Sequence, residues 1–306
     1  MFICVAKLPL GVDINNLIDN LRIFSWEAAE ILIYYSNIIQ DSTEKSRFIQ
    51  NKNYDDPVTL ADIKVNELIV NKIRKSYRNV SWDILSEEDI KTETNTFIRT
   101  SEWCWVLDPL DGTKDFIQGT GNYAMHLALN YKQKPLIGVV LIPERNELWI
   151  SNGEKLWRER RDGSKIEKYL SSRKTINEMT LVTSKNHSNN TLKRLIEKLN
   201  FKDVIVMGSI GCKIASILRG ESDIYICLSL PGRSSPKDWD FAAPAALLKA
   251  AGGTITDLNN NELTYGKSNF EQGGILVATN NKLTHRSICS EINCIIKKFD
   301  LFTLDS

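Results

Sequence analysis

The sequence predicts a mixed α/β protein, α+β in its first half and α/β in its second, on three observations. Apolar residues recur at spacings of three and four near the N-terminus, short apolar runs bounded by turn residues fill the middle, and strand and helix patterns alternate beyond about residue 178. At 306 residues the chain suits one large domain or two moderate ones, and its division is expected at 1–178 and 179–306.

The elements follow in order. Residues 13–39 predict a helix, with Leu17, Leu21, Phe24, Ala28, Ile31 and Tyr35 on one stripe. Residues 41–56 are polar and predict a loop. Pro57-Val58-Thr59-Leu60-Ala61-Asp62 leads into a second helix carrying Val65, Leu68, Ile69 and Ile73. A short strand is expected at 80–85, followed by the acids Glu87, Glu88 and Asp89. Trp105-Val106-Leu107 reads as a buried strand that stops at Asp108-Pro109, because proline donates no ladder hydrogen bond and presets its own φ. Asp111-Gly112 marks a second tight turn. Strands are expected at 123–131 and 135–142, then a hairpin of 147–150 with 155–161. Arg158, Arg160 and Arg161 read as a solvated edge. Beyond it, strands are expected at 178–183, 203–207, 224–228, 254–257 and 274–278. Helices are expected at 190–199, 210–220, 240–251 and 285–299, the third ending at Gly252-Gly253.

Composition excludes several classes. Hydrophobic content of 42% and charged content of 25% belong to a globular protein. A net charge of +1 argues for neither nucleic acid nor an anionic membrane surface as partner. No apolar run approaches the ~20 residues of a membrane helix, and residues 1–10 show no convincing signal-peptide cleavage site. The six cysteines are scattered without a Cys-x-x-Cys pair, which predicts reduced thiols and a cytoplasmic location.

The chemistry is expected where acids fall at element ends. Asp108 and Asp111 share one bend, and two carboxylates held that way suit a hard divalent cation. On those two residues alone, an ordinary surface turn serves equally well. Asp62 and Asp240 at helix starts and Glu87 after a strand have plain readings too, as caps, dipole partners or solvated acids. Together, however, converging acids would repel one another, and bound Mg²⁺ would remove that conflict. A two-metal carboxylate site suits phosphate-ester hydrolysis, because the metals acidify a bound water and neutralise charge on the attacking and leaving oxygens. Thr113 can orient that water with Asp62 as its acceptor, and Gly112 leaves a bare N–H for a phosphate.

The segments Asp108-Pro-Leu-Asp-Gly-Thr-Lys-Asp-Phe116, Val58-Thr-Leu-Ala-Asp62, Ser86-Glu-Glu88 and Lys237-Asp-Trp-Asp240 resemble the lithium-sensitive, Mg²⁺-dependent phosphatase superfamily that includes inositol monophosphatase. The likeness runs from the first helix almost to the C-terminus. Lys114 and Phe116, the stretch Thr183-Ser-Lys-Asn-His-Ser188 and the helix opening Gly208-Ser-Ile-Gly-Cys-Lys213 resemble its 3'(2'),5'-bisphosphate nucleotidase branch. Tyr54-Asp55-Asp56 departs from the usual lid sequence of relatives, and an arginine of some nucleotidases is absent near Cys227, with Arg233 a candidate replacement.

The resemblance implies a layered α/β/α/β/α sandwich, with metal binding in the first half and substrate binding in the second. It implies two or three Mg²⁺ ions held by Glu87, Asp108, Asp111, Asp240 and the Leu110 carbonyl, and water activation by Asp62 and Thr113. Gly112 and Thr113 would touch phosphate, and Ser184, His187, Ser209 and Lys213 the nucleotide, with Asp240 also on the substrate side. From the residues alone, His187 reads as a solvated loop histidine and Lys213 as a surface helix lysine. The implied reaction is hydrolysis of the 3'-phosphate of adenosine 3',5'-bisphosphate, which clears a by-product of sulfate assimilation, by a monomer or homodimer. The rival readings are an inositol or sugar phosphatase on the same site and a catalytically silent binder of phosphorylated ligands. The complete acid set argues against the silent binder.

Overall fold

A computed structural model describes residues 8–41, 47–53, 56–92, 97–165, 170–185, 189–229 and 235–301. Cys4, Tyr54, Asp55, His187 and Arg233 lie outside the described residues. The expected amphipathic helices form: α1 (Ile14–Asp41) buries Leu17, Leu21, Phe24 and Ala28, and α2 (Leu60–Ser76) buries Val65, Ile69 and Ile73. Between them β1 (Ile49–Asn53) pairs antiparallel with β2 (Asp56–Thr59), a hairpin where the polar composition predicts a loop. The backbone makes that pairing, so polar side chains neither forbid nor announce it.

The first sheet has six strands in the order β3-β4-β5-β6-β7-β8: β3 (Asp83–Ser86), β4 (Trp103–Asp111), β5 (Ala124–Tyr131), β6 (Lys134–Ile142), β7 (Glu147–Ser151) and β8 (Leu156–Glu159). Only β3 and β4 run parallel. Short helices α3 (Glu87–Thr92) and α4 (Thr113–Gln118) follow β3 and β4. The rest of the chain runs β9 (Thr180–Ser184), α5 (Asn190–Leu199), β10 (Asp203–Met207), α6 (Ile210–Leu218), β11 (Ile224–Ser229), α7 (Asp238–Ala250), β12 (Thr254–Asp257), β13 (Gly274–Thr279) and α8 (Lys282–Phe299). Its five strands form a mixed sheet ordered β10-β9-β11-β13-β12, parallel through the first three and antiparallel beyond.

Three apolar clusters set the layers. Trp105 and Leu107 on one face of β4 pack with α1 and α2. Cys104 and Val106 on its other face pack with α6, α7 and the inner face of the second sheet. The outer face of that sheet packs with α5 and α8. The order is therefore α1/α2, sheet, α6/α7, sheet, α5/α8, the expected α/β/α/β/α sandwich. Gly138 on β6 lets α7 approach closely, since a Cβ there would stand 2.7 Å from the Ala243 carbonyl oxygen.

Three local expectations are corrected. β4 does not stop at Asp108-Pro109 but runs on to Asp111 through a register shift against β5. A bulge absorbs the missing proline N–H, so Pro109 is tolerated inside the strand. Helix α7 begins at Asp238, two residues before the expected start, so Asp240 sits at its third position, from which its side chain still caps the helix by accepting the Lys237 N–H. Arg158 is not a solvated edge residue: its guanidinium donates to Glu147 at 2.7 Å and lies over the Trp149 ring.

Candidate active site

The bulge in β4 creates the site. Residues three apart on a regular strand point to opposite faces. Here Asp108 pairs opposite His126 and Asp111 opposite Ala124, so one extra residue has been looped out between the two acids. Both carboxylates therefore project on the α6/α7 side. Asp108 Oδ1 accepts the Leu110 N–H at 3.1 Å within the bulge.

Asp111 is held by the N-terminus of α6. Its Oδ2 accepts the Ser209 hydroxyl at 2.6 Å and the Gly211 N–H at 3.1 Å. His126 Nε2 stands 3.2 Å from the same oxygen. The pair is within ion-pair distance but does not meet the geometry of a hydrogen bond. Burial pushes the Asp111 carboxyl up, but His126, Lys213 and Ser209 outweigh it and hold the group down at about 2. Asp240 comes from the first turn of α7, its Oδ2 accepting the Lys237 N–H at 2.6 Å.

One carboxylate oxygen from each of Asp108, Asp111 and Asp240 lies within 4.8 Å of the others, the first two buried and the third partly exposed. Burial pushes Asp108 well above the usual carboxylate range, and the charges of Glu87, Asp111 and Asp240 push it further. Asp240 is raised by burial and then by Asp111 and Glu87. This all-oxygen donor set with surplus negative charge fits a hard divalent cation. Glu87 stands beside the trio at the start of α3, its charge felt at Asp108 and Asp240 and its Oε1 paired with Lys91 at 2.7 Å.

On the other side of the bulge, Gly112 takes φ +91°, and a Cβ there would stand 2.9 Å from the Asn122 carbonyl oxygen. Thr113 opens α4; its hydroxyl is 3.1 Å from the Leu110 carbonyl and 3.5 Å from Asp62 Oδ1. A carbonyl oxygen has two lone pairs, so accepting from Thr113 leaves one on Leu110 for a cation. Asp62 caps α2 through the Thr59 N–H at 2.8 Å and the Thr59 hydroxyl at 2.6 Å. Burial lifts its carboxyl to about 8; the Thr59 bonds oppose this, and the charges of Glu88 and Glu87 add to it.

Two residues expected to face a nucleotide are turned the other way. The Ser209 hydroxyl is engaged by Asp111 and by the Cys212 N–H, at 3.1 Å, because it caps α6. Lys213 is 2% exposed, which excludes a surface lysine. Its ammonium donates to the Gly208 carbonyl and lies 5.4 Å from the Tyr225 ring centre. Burial pulls its pKa down while Asp111 opposes the shift. Ser184 is buried at the end of β9, beside Tyr225. His126, a histidine inside the apolar run 124–129, also reaches the site, and no motif of the sequence marks it.

The inositol monophosphatase family matches residues 20–297. The chain belongs to that family, a class of phosphoric monoester hydrolases. A 3'(2'),5'-bisphosphate nucleotidase CysQ of Buchnera aphidicola is 31% identical over 69% of this chain and 75% of its own length. The CysQ of Escherichia coli K12 is 30% identical over 74% of this chain and 86% of its own. Among solved structures, the Thermotoga maritima IMPase superposes with a TM-score of 0.71 at 21% identity, covering 92% of this chain and 99% of that one, a likeness of fold. Among the described residues, no helix is long and apolar enough to cross a membrane.

Proposed function

We propose that this chain is a Mg²⁺-dependent phosphatase that removes the 3'-phosphate of adenosine 3',5'-bisphosphate, giving AMP and phosphate. The observation that carries the reaction is the trio Asp108, Asp111 and Asp240, with its oxygens within 4.8 Å of one another. The nucleotide substrate is supported by the bisphosphate nucleotidases among its relatives. With Glu87 and the Leu110 carbonyl, the trio would hold two or three Mg²⁺ ions. When bound, these ions supply a more acidic water and neutralise charge on the phosphate oxygens.

The chain's own groups do the rest. The Thr113 hydroxyl stands 3.5 Å from Asp62 Oδ1 and 3.1 Å from the Leu110 carbonyl, and in this reading it orients the attacking water while the Asp62 carboxylate takes up its proton. Burial raises that carboxyl to about 8 in the cation-free protein; the positive charge of bound Mg²⁺ would favour its ionised form, the form that accepts a proton. The N–H groups of Gly112 and Thr113 meet the phosphate. Ser184 and His187 contact the nucleotide directly, while Ser209 and Lys213 act from behind, through Asp111 and the Gly208 carbonyl.

Phosphate release from adenosine 3',5'-bisphosphate, inositol 1-phosphate and fructose 1,6-bisphosphate, each with and without Mg²⁺, tests this reading. The nucleotide should give the highest kcat/KM, lost on chelation and inhibited by lithium. Preference for either of the other two substrates would overturn the nucleotide assignment.

A further inference from the structure

We infer that His126 is a positioning residue that ties all three clustered acids together. It lies opposite Asp108 in the β4–β5 ladder. Its Nε2 is 3.2 Å from Asp111 Oδ2. Its Nδ1 is 3.4 Å from the carbonyl oxygen of Trp239, the residue before Asp240. One ring therefore touches the bulge of β4 on one side and the first turn of α7 on the other, and it is wholly buried.

The surroundings are shaped to admit that ring. Gly211, whose N–H also holds Asp111, lies so close that any side chain there would overlap His126 Nε2. Val140, opposite His126 in the β5–β6 ladder, and Ala128, two residues along the same face of β5, are buried on the same side of the sheet. A leucine would fill such a position as well as histidine if packing were its only task. Groups that orient ligands from behind commonly govern cation affinity by 10–100-fold without touching the ion.

The inference rests on the cation site proposed above, and the test separates the two. Mn²⁺ alone is titrated into the protein and the free ion followed by its electron paramagnetic resonance signal, with the melting of cation-free protein confirming the fold. His126→Leu keeps the volume and loses both polar contacts, so Mn²⁺ affinity should fall about 10–100-fold. His126→Gln offers an amide at a similar reach and should stay within about threefold of the parent, a rescue that simple core filling does not require. Should the leucine variant not fold, His126→Asn, too short to span both contacts, should show the same loss. Equal affinity in the parent and the leucine or asparagine variant would overturn the role of His126. So would a glutamine variant no better than the leucine one. Absence of Mn²⁺ binding by the parent would overturn the cation site itself, and the inference with it.

Discussion

Thr113 carries the sharpest expectation at the scale of single residues. Its hydroxyl sits between the Leu110 carbonyl and Asp62, where it can fix a water. Valine keeps the shape and removes the hydroxyl. Thr113→Val should therefore lower kcat by about 10²–10⁴-fold, the usual worth of a positioned proton-transfer contact, with little change in melting temperature. Steady-state kinetics beside a thermal melt checks both halves, and turnover like the parent's would remove the Asp62–Thr113 pair from the mechanism. Asp62 was legible because Thr59-x-x-Asp62 is a helix-start spacing that local chain geometry enforces. His126 was not, because its meaning depends on Asp111 and Trp239, which the chain brings to it only through a bulge and a distant helix.

At the scale of elements, the site depends on how closely α7 lies on the first sheet. Gly138 faces the Ala243 carbonyl and the Ala246 Cβ, where an added Cβ would stand at 2.7 and 2.8 Å. Gly138→Val must push α7 outward, and Asp240 moves with its helix. The variant should lose about 1–3 kcal/mol of stability by overpacking, read from a urea transition, and its turnover should fall by more than its folded fraction. Stability equal to the parent's would show that α7 has room to spare. Elements with strong local patterns were readable: α5 and β10 begin and end where periodicity and composition put them. The continuation of β4 through Pro109 was not, because a bulge is a property of two strands and β5 lies beyond the turn. The β1–β2 hairpin was missed for a related reason, since its polar residues carry no alternation.

At the scale of the whole molecule, the clustered acids make stability depend on cation and pH together. Asp108 and Asp240 are raised well above the ordinary carboxylate range and Asp62 to about 8, so the cation-free folded state binds more protons than the unfolded chain across this window. The slope of unfolding free energy with pH follows protons bound unfolded minus folded, which is negative here. Cation-free stability should therefore fall as pH rises from about 5 to 8, with the Asp62 contribution lost by about 8. Asp111, held at about 2, titrates below that window; His285, pulled down to about 4 by burial, binds its proton only in the unfolded chain and offsets one of the three acids below about 6.5, so the sign holds and the decline is shallowest at the acid end. Melting curves in chelator should show the decline, and Mg²⁺ should flatten it, because a ligand of the folded state stabilises by mass action. A chelated protein that gains stability over this range would contradict the clustered-acid picture. The central claim is that Asp108, Asp111 and Asp240 hold the cation on which phosphate hydrolysis depends. Its most direct test is phosphate release from adenosine 3',5'-bisphosphate across a Mg²⁺ titration, comparing the parent with Asp108→Asn and Asp240→Asn. Each substitution removes charge and almost no volume, so both variants should fold, stand firmer than the parent in chelator, and show no Mg²⁺-dependent turnover. Near-parent turnover by either variant at saturating Mg²⁺ would contradict the account.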